Sequence, residues 1–399
     1  MATRLDELGI PAIIDIHDGT HNWGYRQDDL HNSWPVLGPA IGASWRVLHR
    51  RSVHPQIRPI GRSAGSSPFG SSDARRMRDD VLIHRSDAQA SGRTPGEIRG
   101  LVRSGHWVRL ASGVFVPRET YEATDDFGRH AFRARAMLQV SSPDAALSHV
   151  SAAVLHGLRP WRIALDDVHL TYNRRSGGKR TPGRVMHTAR LDEAEVVDRC
   201  GARVLEVART VVDIAATEPF EESVVLGDRV LRHGLTDIAL LRSALERMGS
   251  HPGRARASRA VGRMDDRSDS VGESRSRILM LDEHLPVPLA QVDVLDAADR
   301  WLARVDFLWP EHGVIGEFDG RIKYRRDGVA TRDAEDVVYQ EKLREDRLRQ
   351  AGWVVVRWTW DDLETPGALA SKIRAAMELA RRGSGPVGRY VVRKLTTQK

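Results

Sequence analysis

The residues best suited to chemistry are carboxylates on two consecutive predicted strands near the C-terminus. The first strand reads WLARVDFLW, the turn PEHG, and the second strand VIGEFDG. A two- or four-residue turn pairs Asp306 with Glu317. The same register places Arg304 opposite Asp319, on the same face. Like charges on directly opposed residues, whose Cβ atoms are about 4.5–5.5 Å apart, are destabilising, so a divalent cation with oxygen ligands is expected here.

Three further elements surround this hairpin. Residues 334–351 have the composition of a charged helix, and Gly352 stands where a C-cap glycine would. The run WVVVRWTW predicts a strand buried on both faces, in which Arg357 needs a carboxylate or phosphate partner. Upstream, Glu273 lies in SVGESRSRILMLDEHL, which predicts another helix.

The order helix, strand, strand, helix, strand, with carboxylates on the first three elements, resembles the core of PD-(D/E)XK nucleases. Residues 270–382 look like the endonuclease-like domain related to very-short-patch-repair (Vsr-like) endonucleases. The resemblance is carried by Asp306-Phe307, Glu317-x-Asp319-Gly320, Glu341-x-x-Arg344, Leu348, Gly352-Trp353 and Arg357. It implies that Mg²⁺ (or Mn²⁺), held by Asp306, Glu317 and Glu273, promotes hydrolysis of a phosphodiester bond.

One position departs from the E-x-K pair of that family, because Asp319 stands where the lysine would be. Lys323, or Lys342 on the following helix, would then supply the cation that stabilises developing charge. With Asp306, Glu317, Asp319 and Glu273, these lysines form the candidate catalytic group of a magnesium-dependent endodeoxyribonuclease. The alternative is a degenerate nuclease fold that binds nucleic acid or serves as a scaffold, since fold does not determine function.

Length and composition limit the remaining possibilities. A chain of 399 residues is too long for one hydrophobic core and predicts two to four domains. The formal net charge of +7 favours a polyanionic partner. The single cysteine, Cys200, which we interpret as a small core residue, excludes an intramolecular disulfide framework and fits a reducing cytoplasm. We find neither a signal peptide nor an apolar run of about 18 residues, so no membrane association is expected.

The expected fold class is α/β multidomain, with three folded units between polar linkers. These are a winged helix-turn-helix, an α+β middle domain and a C-terminal PD-(D/E)XK (restriction-endonuclease-like) α/β domain. The predicted segments are an N-terminal remnant (1–60), a flexible linker (61–78), the winged helix (79–118), the middle domain (119–250), a second linker (251–270), the nuclease-like domain (271–382) and a tail (383–399).

The predicted winged helix has an arginine-rich outer face. Thr94, followed by a proline and then Glu97, has the pattern of a helix start with a capping box. Arg93, Arg99 and Arg103 would lie near phosphates or bases if the second helix enters the major groove. Winged helices also bind proteins, and that alternative stays open.

Residues 79–250 resemble AbiEi-family antitoxins of type IV toxin–antitoxin systems. The resemblance is carried by the predicted winged helix and by three segments that follow it in order, ALSHVSAAVLHGL, DDVHLTY and GARVLEVARTVVDIA. The resemblance implies DNA as a partner and offers two alternative functions. One is a non-catalytic transcriptional regulator, and the other is a protein–protein module that neutralises a nucleotidyltransferase toxin. We interpret His149, Ser151 and His156 as structural residues of an amphipathic helix.

Other polar residues are assigned as follows. The loop NRRSGGKR, with Arg174, Arg175, Lys179 and Arg180, is a candidate nucleic-acid contact, and an exposed hairpin tip is the equal alternative. Arg344 is a further candidate contact to nucleic acid. No small-molecule cofactor is expected.

The N-terminal segment carries a resemblance of a different kind. IHDGTHNWGYRQDDLHNSWPVLGPAIG is similar to the C-terminal end of α/β-hydrolase esterases of the trehalose mycolyltransferase type, with His21 at the position of the triad histidine. No G-x-S-x-G nucleophile elbow precedes it, so His21 has no serine to activate. We therefore interpret residues 1–60 as a remnant and exclude a hydrolase function.

Overall fold

The computed structural model describes residues 81–320 and 332–392, with the side chains of 332–339 excepted. These residues form an α/β multidomain protein with three separate sheets, in agreement with the predicted fold class. The predicted remnant (1–60), the linker 61–78, His21 and Lys323 lie outside the described residues. None of the helices in the described ranges has the length and apolar character needed to cross a membrane.

The first unit is a three-stranded antiparallel sheet, in the order β1-β3-β2, with two short helices. Its elements are β1 (Ile83–His84), α1 (Arg85–Ala90), α2 (Pro95–Arg103), β2 (Trp107–Ala111) and β3 (Val114–Pro117). The predicted capping box is confirmed at α2, since the Glu97 amide donates to Thr94 Oγ1 at 3.2 Å and the Thr94 amide donates to Glu97 Oε2 at 2.7 Å. Ile98 anchors α2 in a small core with Phe115.

The second unit is built on a six-stranded mixed sheet in the order β6-β7-β5-β4-β9-β8. The strands are β4 (Ala145–Leu147), β5 (Val168–Asn173), β6 (Lys179–Thr181), β7 (Arg184–Ala189), β8 (Val196–Arg199) and β9 (Ala202–Leu205). The helices α3 (Arg118–Glu122), α4 (Asp126–Gln139) and α5 (His149–Leu155) accompany it. Cys200 is exposed in the β8–β9 turn with φ 53°, so its prediction as a core residue is wrong, because this tight hairpin turn needs positive φ at two consecutive residues.

Four further helices complete the second unit: α6 (Val207–Thr217), α7 (Phe220–Arg232), α8 (Ile238–Arg247) and α9 (Arg254–Val261). Helix α9 lies inside the segment predicted as the linker 251–270. Its residues Ala257, Ala260 and Val261 are buried, and α9 packs against α6 and α7. The linker prediction is therefore wrong over this helix, because small residues at helical spacing bury a narrow face that overall polarity conceals.

The C-terminal unit is a five-stranded sheet, in the order β13-β12-β11-β10-β14, flanked by helices. Its elements are α10 (Val271–Asp282), β10 (Leu289–Leu295), β11 (Trp301–Trp309), β12 (Val314–Phe318), α11 (Arg332–Gln350), β13 (Val354–Trp358), α12 (Trp360–Glu364), α13 (Ala368–Ala380) and β14 (Arg389–Val392). Strands β12 and β13 are parallel, while the remaining neighbours are antiparallel. Gly352 has φ +88° after α11, which confirms the predicted C-cap.

The predicted register of the carboxylate hairpin is confirmed. Strands β11 and β12 pair Phe307 with Gly316 and Trp309 with Val314, and the same register extended by one residue opposes Asp306 and Glu317. A four-residue turn joins the strands and ends at Gly313, whose φ is +66°. The local sequence therefore fixes which side chains share this face.

The prediction about the tail is wrong. Residues 389–392, placed in the predicted tail 383–399, form β14 and pair with β10, whose outer backbone groups need hydrogen-bond partners.

Strand β13 contacts the core on both faces, as predicted, although it is an edge strand of the sheet. Trp358 is buried on one face, with Val354 and Val356 half-buried beside it, and Val355 is buried on the other face. A continuous apolar run does not distinguish an edge strand covered by helices from a central one.

The packing around β12 predicts a strong effect of one methyl group. A Cβ at Gly316 would lie 2.5 Å from the Trp358 ring and 2.9 Å from the Trp309 ring. We expect Gly316→Ala to lower the free energy of unfolding by about 1–3 kcal/mol, measured by urea titration. Gly100→Ala, in α2 with no atom within 4 Å, is the control and should be neutral or slightly stabilising. Equal stability of Gly316→Ala and wild type would contradict this packing.

Candidate active site

Two carboxylates of the C-terminal unit, the buried Glu273 and the half-buried Asp306, share one amide donor. Gln291 Nε2 on β10 donates to Glu273 Oε2 at 2.7 Å and to Asp306 Oδ1 at 3.2 Å. The other oxygen of Asp306 accepts the Phe318 backbone N–H at 3.0 Å. The carboxylates of a helix and a strand are therefore held together by a neutral side chain from a third element.

Local structure at the start of α10 fixes Glu273. Ser270 is the N-cap, and its hydroxyl accepts the Glu273 amide at 3.2 Å while donating to Glu273 Oε1 at 2.8 Å. The Asp269 amide donates to Glu273 Oε2 at 2.9 Å. This is a capping arrangement, in which a carboxylate at the third helical position satisfies donors that the first turn leaves free. Gly272 lets the helix approach the sheet, because a Cβ there would lie 1.9 Å from the Phe318 ring.

Burial and mutual repulsion disfavour the charged forms of this pair. Burial, followed by the charge of Glu273, raises the pKa of Asp306 to about 7. Burial also raises the pKa of Glu273, against the effect of its hydrogen bonds. Raised carboxylate pKa values in a hydrogen-bonded group of this kind are common at functional sites.

The structure places Glu317 in a different environment from that of Asp306. Arg344 forms an ion pair with Glu317 Oε1, and Arg357 Nη2 lies 2.9 Å from Glu317 Oε2. Arg357 also pairs with Glu341 at 2.7 Å and with Glu345 at 3.2 Å, which confirms that it needs carboxylate partners. Burial raises the pKa of Glu317 while both arginines act in the opposite direction. Two arginines thus contact Glu317 directly, whereas Asp306 accepts hydrogen bonds from a neutral amide and a backbone N–H, and the charge of Arg344 lowers its pKa less than burial and Glu273 raise it.

The other predicted catalytic residues in the described ranges, Asp319 and Lys342, lie at the edge of this carboxylate group or outside it. Asp319 follows β12, half-buried, and its backbone N–H donates to Trp358 O at 2.8 Å. Lys342 is exposed, beside the face of α11 that carries Glu341 and Arg344 rather than on it. In the described ranges, Glu273, Asp306 and Glu317 do not form a group whose ligand oxygens all lie within 4.8 Å of one another.

Sequence analysis missed Gln291, the residue that joins the two carboxylates. It also missed β10, which lies between α10 and β11 and pairs with β11 in a register that sets Gln291 opposite Asp306. Gln291 has φ +54°, a conformation that costs a non-glycine residue of order 1–3 kcal/mol. The available signal was the pair of polar residues Gln291 and Asp293 in LAQVDVL, and the role of Gln291 depends on contacts from two other elements.

The predicted nucleic-acid contacts divide into exposed and paired side chains. Arg93, Arg99 and Arg103 are exposed, and Arg93 lies over the Trp107 ring at 5.5 Å. Within the described part of the chain, Arg99 and Arg103 have no acidic partner within 4.0 Å, so their charges are available to an anion. Arg344, in contrast, is engaged by Glu317 and by the Arg304 carbonyl at 2.9 Å.

The loop between β5 and β6 is partly neutralised. Arg174 Nε lies 2.7 Å from Asp144 Oδ2, and Arg180 lies 2.8 Å from Asp167. Arg175 and Lys179 are exposed. Half of the predicted cations thus already have carboxylate partners, which favours the exposed hairpin tip over a continuous phosphate-binding strip.

Comparison with known proteins gives distant similarities. No protein-family model matches the chain. The chain is 27% identical over 196 residues to the uncharacterized proteins MT2308 and Rv2248 of Mycobacterium tuberculosis, which covers 47% of this chain and 69% of each relative. The crystal structure of the RV2827C protein from Mycobacterium tuberculosis is similar with a TM-score of 0.33 and 19% identity, over 48% of this chain and 75% of that chain.

The raised pKa of Asp306 predicts a specific pH dependence. A carboxyl group whose pKa is about 7 when folded and 3.8 as its ordinary value contributes stability at low pH, and this contribution is lost as pH rises through 7. We expect the difference in free energy of unfolding between Asp306→Asn and wild type to shift by about 2–3 kcal/mol in favour of the variant from pH 5 to pH 8. The reason is that one pKa unit corresponds to about 1.4 kcal/mol. Urea titrations in a chelating buffer measure this difference.

The matched control for this experiment is Asp282→Asn, at an exposed position at the end of α10. Its stability relative to wild type should be the same at both pH values. A constant difference between Asp306→Asn and wild type would show that burial does not disfavour the Asp306 charge.

Proposed function

We propose that the protein is a DNA-binding, magnesium-dependent endonuclease that hydrolyses phosphodiester bonds at the Asp306–Glu273 pair. The observation that carries this proposal is the pair itself, because Gln291 holds the buried Glu273 and the half-buried Asp306 together without neutralising them. Two carboxylates that repel each other away from solvent are typical of sites that bind a cation or that need a carboxyl group to change its protonation state.

The donor set fits a hard divalent cation. Mg²⁺ is bound through one or two carboxylates together with water and substrate phosphates, and Asp306 and Glu273 supply two carboxylates on adjoining elements. When bound, Mg²⁺ polarises the scissile phosphate and lowers the pKa of the attacking water. The alternative ion Mn²⁺ accepts the same oxygen ligands.

The residues of this chain have separate tasks in the proposed reaction. Gln291 keeps the two carboxylates at a fixed separation, and the Phe318 N–H orients Asp306. The charge balance around Glu317 leaves it as a positioning residue, which holds Arg344 and Arg357 against the sheet. The lysine assigned to stabilise the developing charge is Lys342 or Lys323.

DNA recognition is assigned to residues 81–117, proposed as a winged helix-turn-helix. This assignment is supported by a short capped helix, α2, whose buried Ile98 leaves Arg99 and Arg103 outside. Unpaired arginines on one helix face attract phosphates by releasing counterions. The net charge of +7 supports the same partner.

A second candidate function is a non-catalytic, antitoxin-like transcriptional regulator with a cognate toxin as partner. The observation that favours it is the pairing of Glu317 with Arg344 and Arg357, since a carboxylate held by two arginines is less available to a metal. The presence of Asp319 in place of the catalytic lysine supports the same alternative. Cutting of DNA distinguishes the two functions.

We expect the full-length protein to convert supercoiled plasmid to nicked or linear DNA when Mg²⁺ or Mn²⁺ is added. Asp306→Asn and Glu273→Gln should slow cutting by at least about 100-fold, since a loss of about 2.7 kcal/mol of transition-state stabilisation has that effect. Asp282→Asn, on the same helix as Glu273, should cut like wild type. DNA binding without metal-dependent cutting by wild type would favour the regulator, and full activity in both carboxylate variants would exclude this site.

DNA affinity should depend on Arg99 and Arg103 through salt. For wild type we expect the logarithm of the binding constant to fall linearly with the logarithm of salt concentration. The double variant Arg99→Ala/Arg103→Ala should reduce this slope by about 1.8, at about 0.9 per phosphate contact. Fluorescence anisotropy with a labelled duplex measures it, with Arg242→Ala, exposed on α8, as the control. An unchanged slope in the double variant would show that Arg99 and Arg103 of α2 do not contact the DNA phosphates.

A further inference from the structure

A second group of ligand-bearing side chains lies in the middle unit, on the six-stranded sheet. His169 is on β5 and His187 is on the neighbouring parallel strand β7, where the register pairs His169 with Val185 and Thr171 with His187. The two histidines are therefore diagonal neighbours on one face of the sheet. His149 is the first residue of α5, which packs on β5 and brings a third imidazole to the same place.

The three rings are close enough to share one ion. Their ligand nitrogens all lie within 4.8 Å of one another, and no other such group of three histidine, cysteine or acidic side chains occurs in the described ranges. The His187 Nε2 and His169 Nδ1 atoms are 3.1 Å apart. In a tetrahedral zinc site with bonds of about 2.0–2.1 Å, two ligand nitrogens lie about 3.3 Å apart. One edge of the required tetrahedron thus already exists, whereas the His149 ring, stacked on His187 with an interplanar angle of 15°, must rotate to aim its lone pair at the same point.

The surroundings of the cluster favour the form of histidine that binds metals. Burial lowers the pKa of His169 and of His187 to about 4, and it lowers the pKa of His149 well below its ordinary value. All three imidazoles are therefore neutral at neutral pH, with lone pairs available for coordination. His149 is buried, while His169 and His187 are half-buried, which leaves a path from solvent.

One neighbouring hydroxyl group contacts a ring of the cluster, and a second one fixes the strand that carries another ring. Ser148 Oγ lies 3.0 Å from His149 Nδ1, which leaves the Nε2 of His149 for another partner. Ser151 Oγ accepts the His169 backbone N–H at 2.9 Å and so fixes β5 against α5. His149 also has φ +49°, a conformation unusual for a residue other than glycine and often found at functional sites.

We propose that His149, His169 and His187 bind one divalent transition-metal ion of the zinc type, a site separate from the carboxylate pair and independent of the proposed nuclease function. Three neutral imidazoles suit Zn²⁺, Ni²⁺ or Co²⁺, whereas Mg²⁺ requires oxygen ligands. Three histidine ligands leave a fourth position for water or another ligand. The ion would join α5, β5 and β7 and stabilise the middle unit.

The competing arrangement is a metal-free cluster held by the His169–His187 hydrogen bond and by the stacking of His149 on His187, whose ring centroids are 3.8 Å apart. The experiment uses full-length protein without an affinity tag, stripped with a chelator that is then removed by dialysis. ZnCl₂ is titrated by calorimetry, and CoCl₂ by the visible absorption of tetrahedral cobalt. His169→Asn and His187→Asn are compared with wild type.

The expected result is one Zn²⁺ per chain in wild type, with affinity reduced at least about 10-fold in each variant. Zinc should raise the melting temperature of wild type and not that of the variants. The control is His284→Asn, which removes an exposed histidine whose φ of 53° suits asparagine and which should bind zinc like wild type.

Two results would overturn the proposal: the absence of stoichiometric zinc binding by wild type, or binding with unchanged affinity and cobalt spectrum in both variants. If a variant does not fold, as judged by circular dichroism, X-ray absorption of zinc-loaded wild type decides the question. Three imidazole ligands are expected around the zinc, and a shell made mainly of oxygen atoms would exclude the site.

Discussion

The placement of helix α10 depends on the pairing of two of its arginines with acidic residues of the middle unit. Arg277 Nη2 donates to both oxygens of Asp228, at 2.9 and 2.7 Å, and Arg275 Nε donates to Glu221 at 2.8 Å. A buried charge that loses its partner costs about 3–5 kcal/mol, so α10 is held where both arginines are paired. Because Glu273 belongs to the same helix, the contact between the two units also determines where this carboxylate meets the C-terminal sheet.

Three groups of buried or half-buried polar side chains in this protein limit the cost of desolvating a charge in different ways. Glu317 is balanced by Arg344 and Arg357, so its network is complete without a ligand. Asp306 and Glu273 share a neutral donor, and burial with mutual repulsion raises the pKa of Asp306 to about 7. The histidine cluster avoids charge altogether, since burial lowers its pKa values. The second and third arrangements are the two for which we propose a bound cation, and their donor atoms suit a hard and a softer ion, respectively.

Local sequence predicted the parts of the site that adjacent residues control. The turn after Trp309 set the register of the carboxylate hairpin, and Gly352 and the α2 capping box were found where their spacing placed them. Sequence did not predict β10 with Gln291, the strand β14 or the helix α9. Each of these is a short or polar segment whose structure depends on a partner distant in the chain, and local patterns carry no information about such partners.

By itself, the sequence determined that Asp306 and Glu317 lie on the same face of the sheet, because the alternation of side chains and a four-residue turn fix the register of the two strands. Only the tertiary structure decided that Glu317 is bound by two arginines while Asp306 meets Glu273 through Gln291. The tertiary structure also brought together three histidines from separate elements, of which the sequence analysis had considered only His149, as a structural residue of a helix. The reason is that the pKa and the ligand preference of a side chain follow from its burial and its neighbours, and long-range packing supplies both.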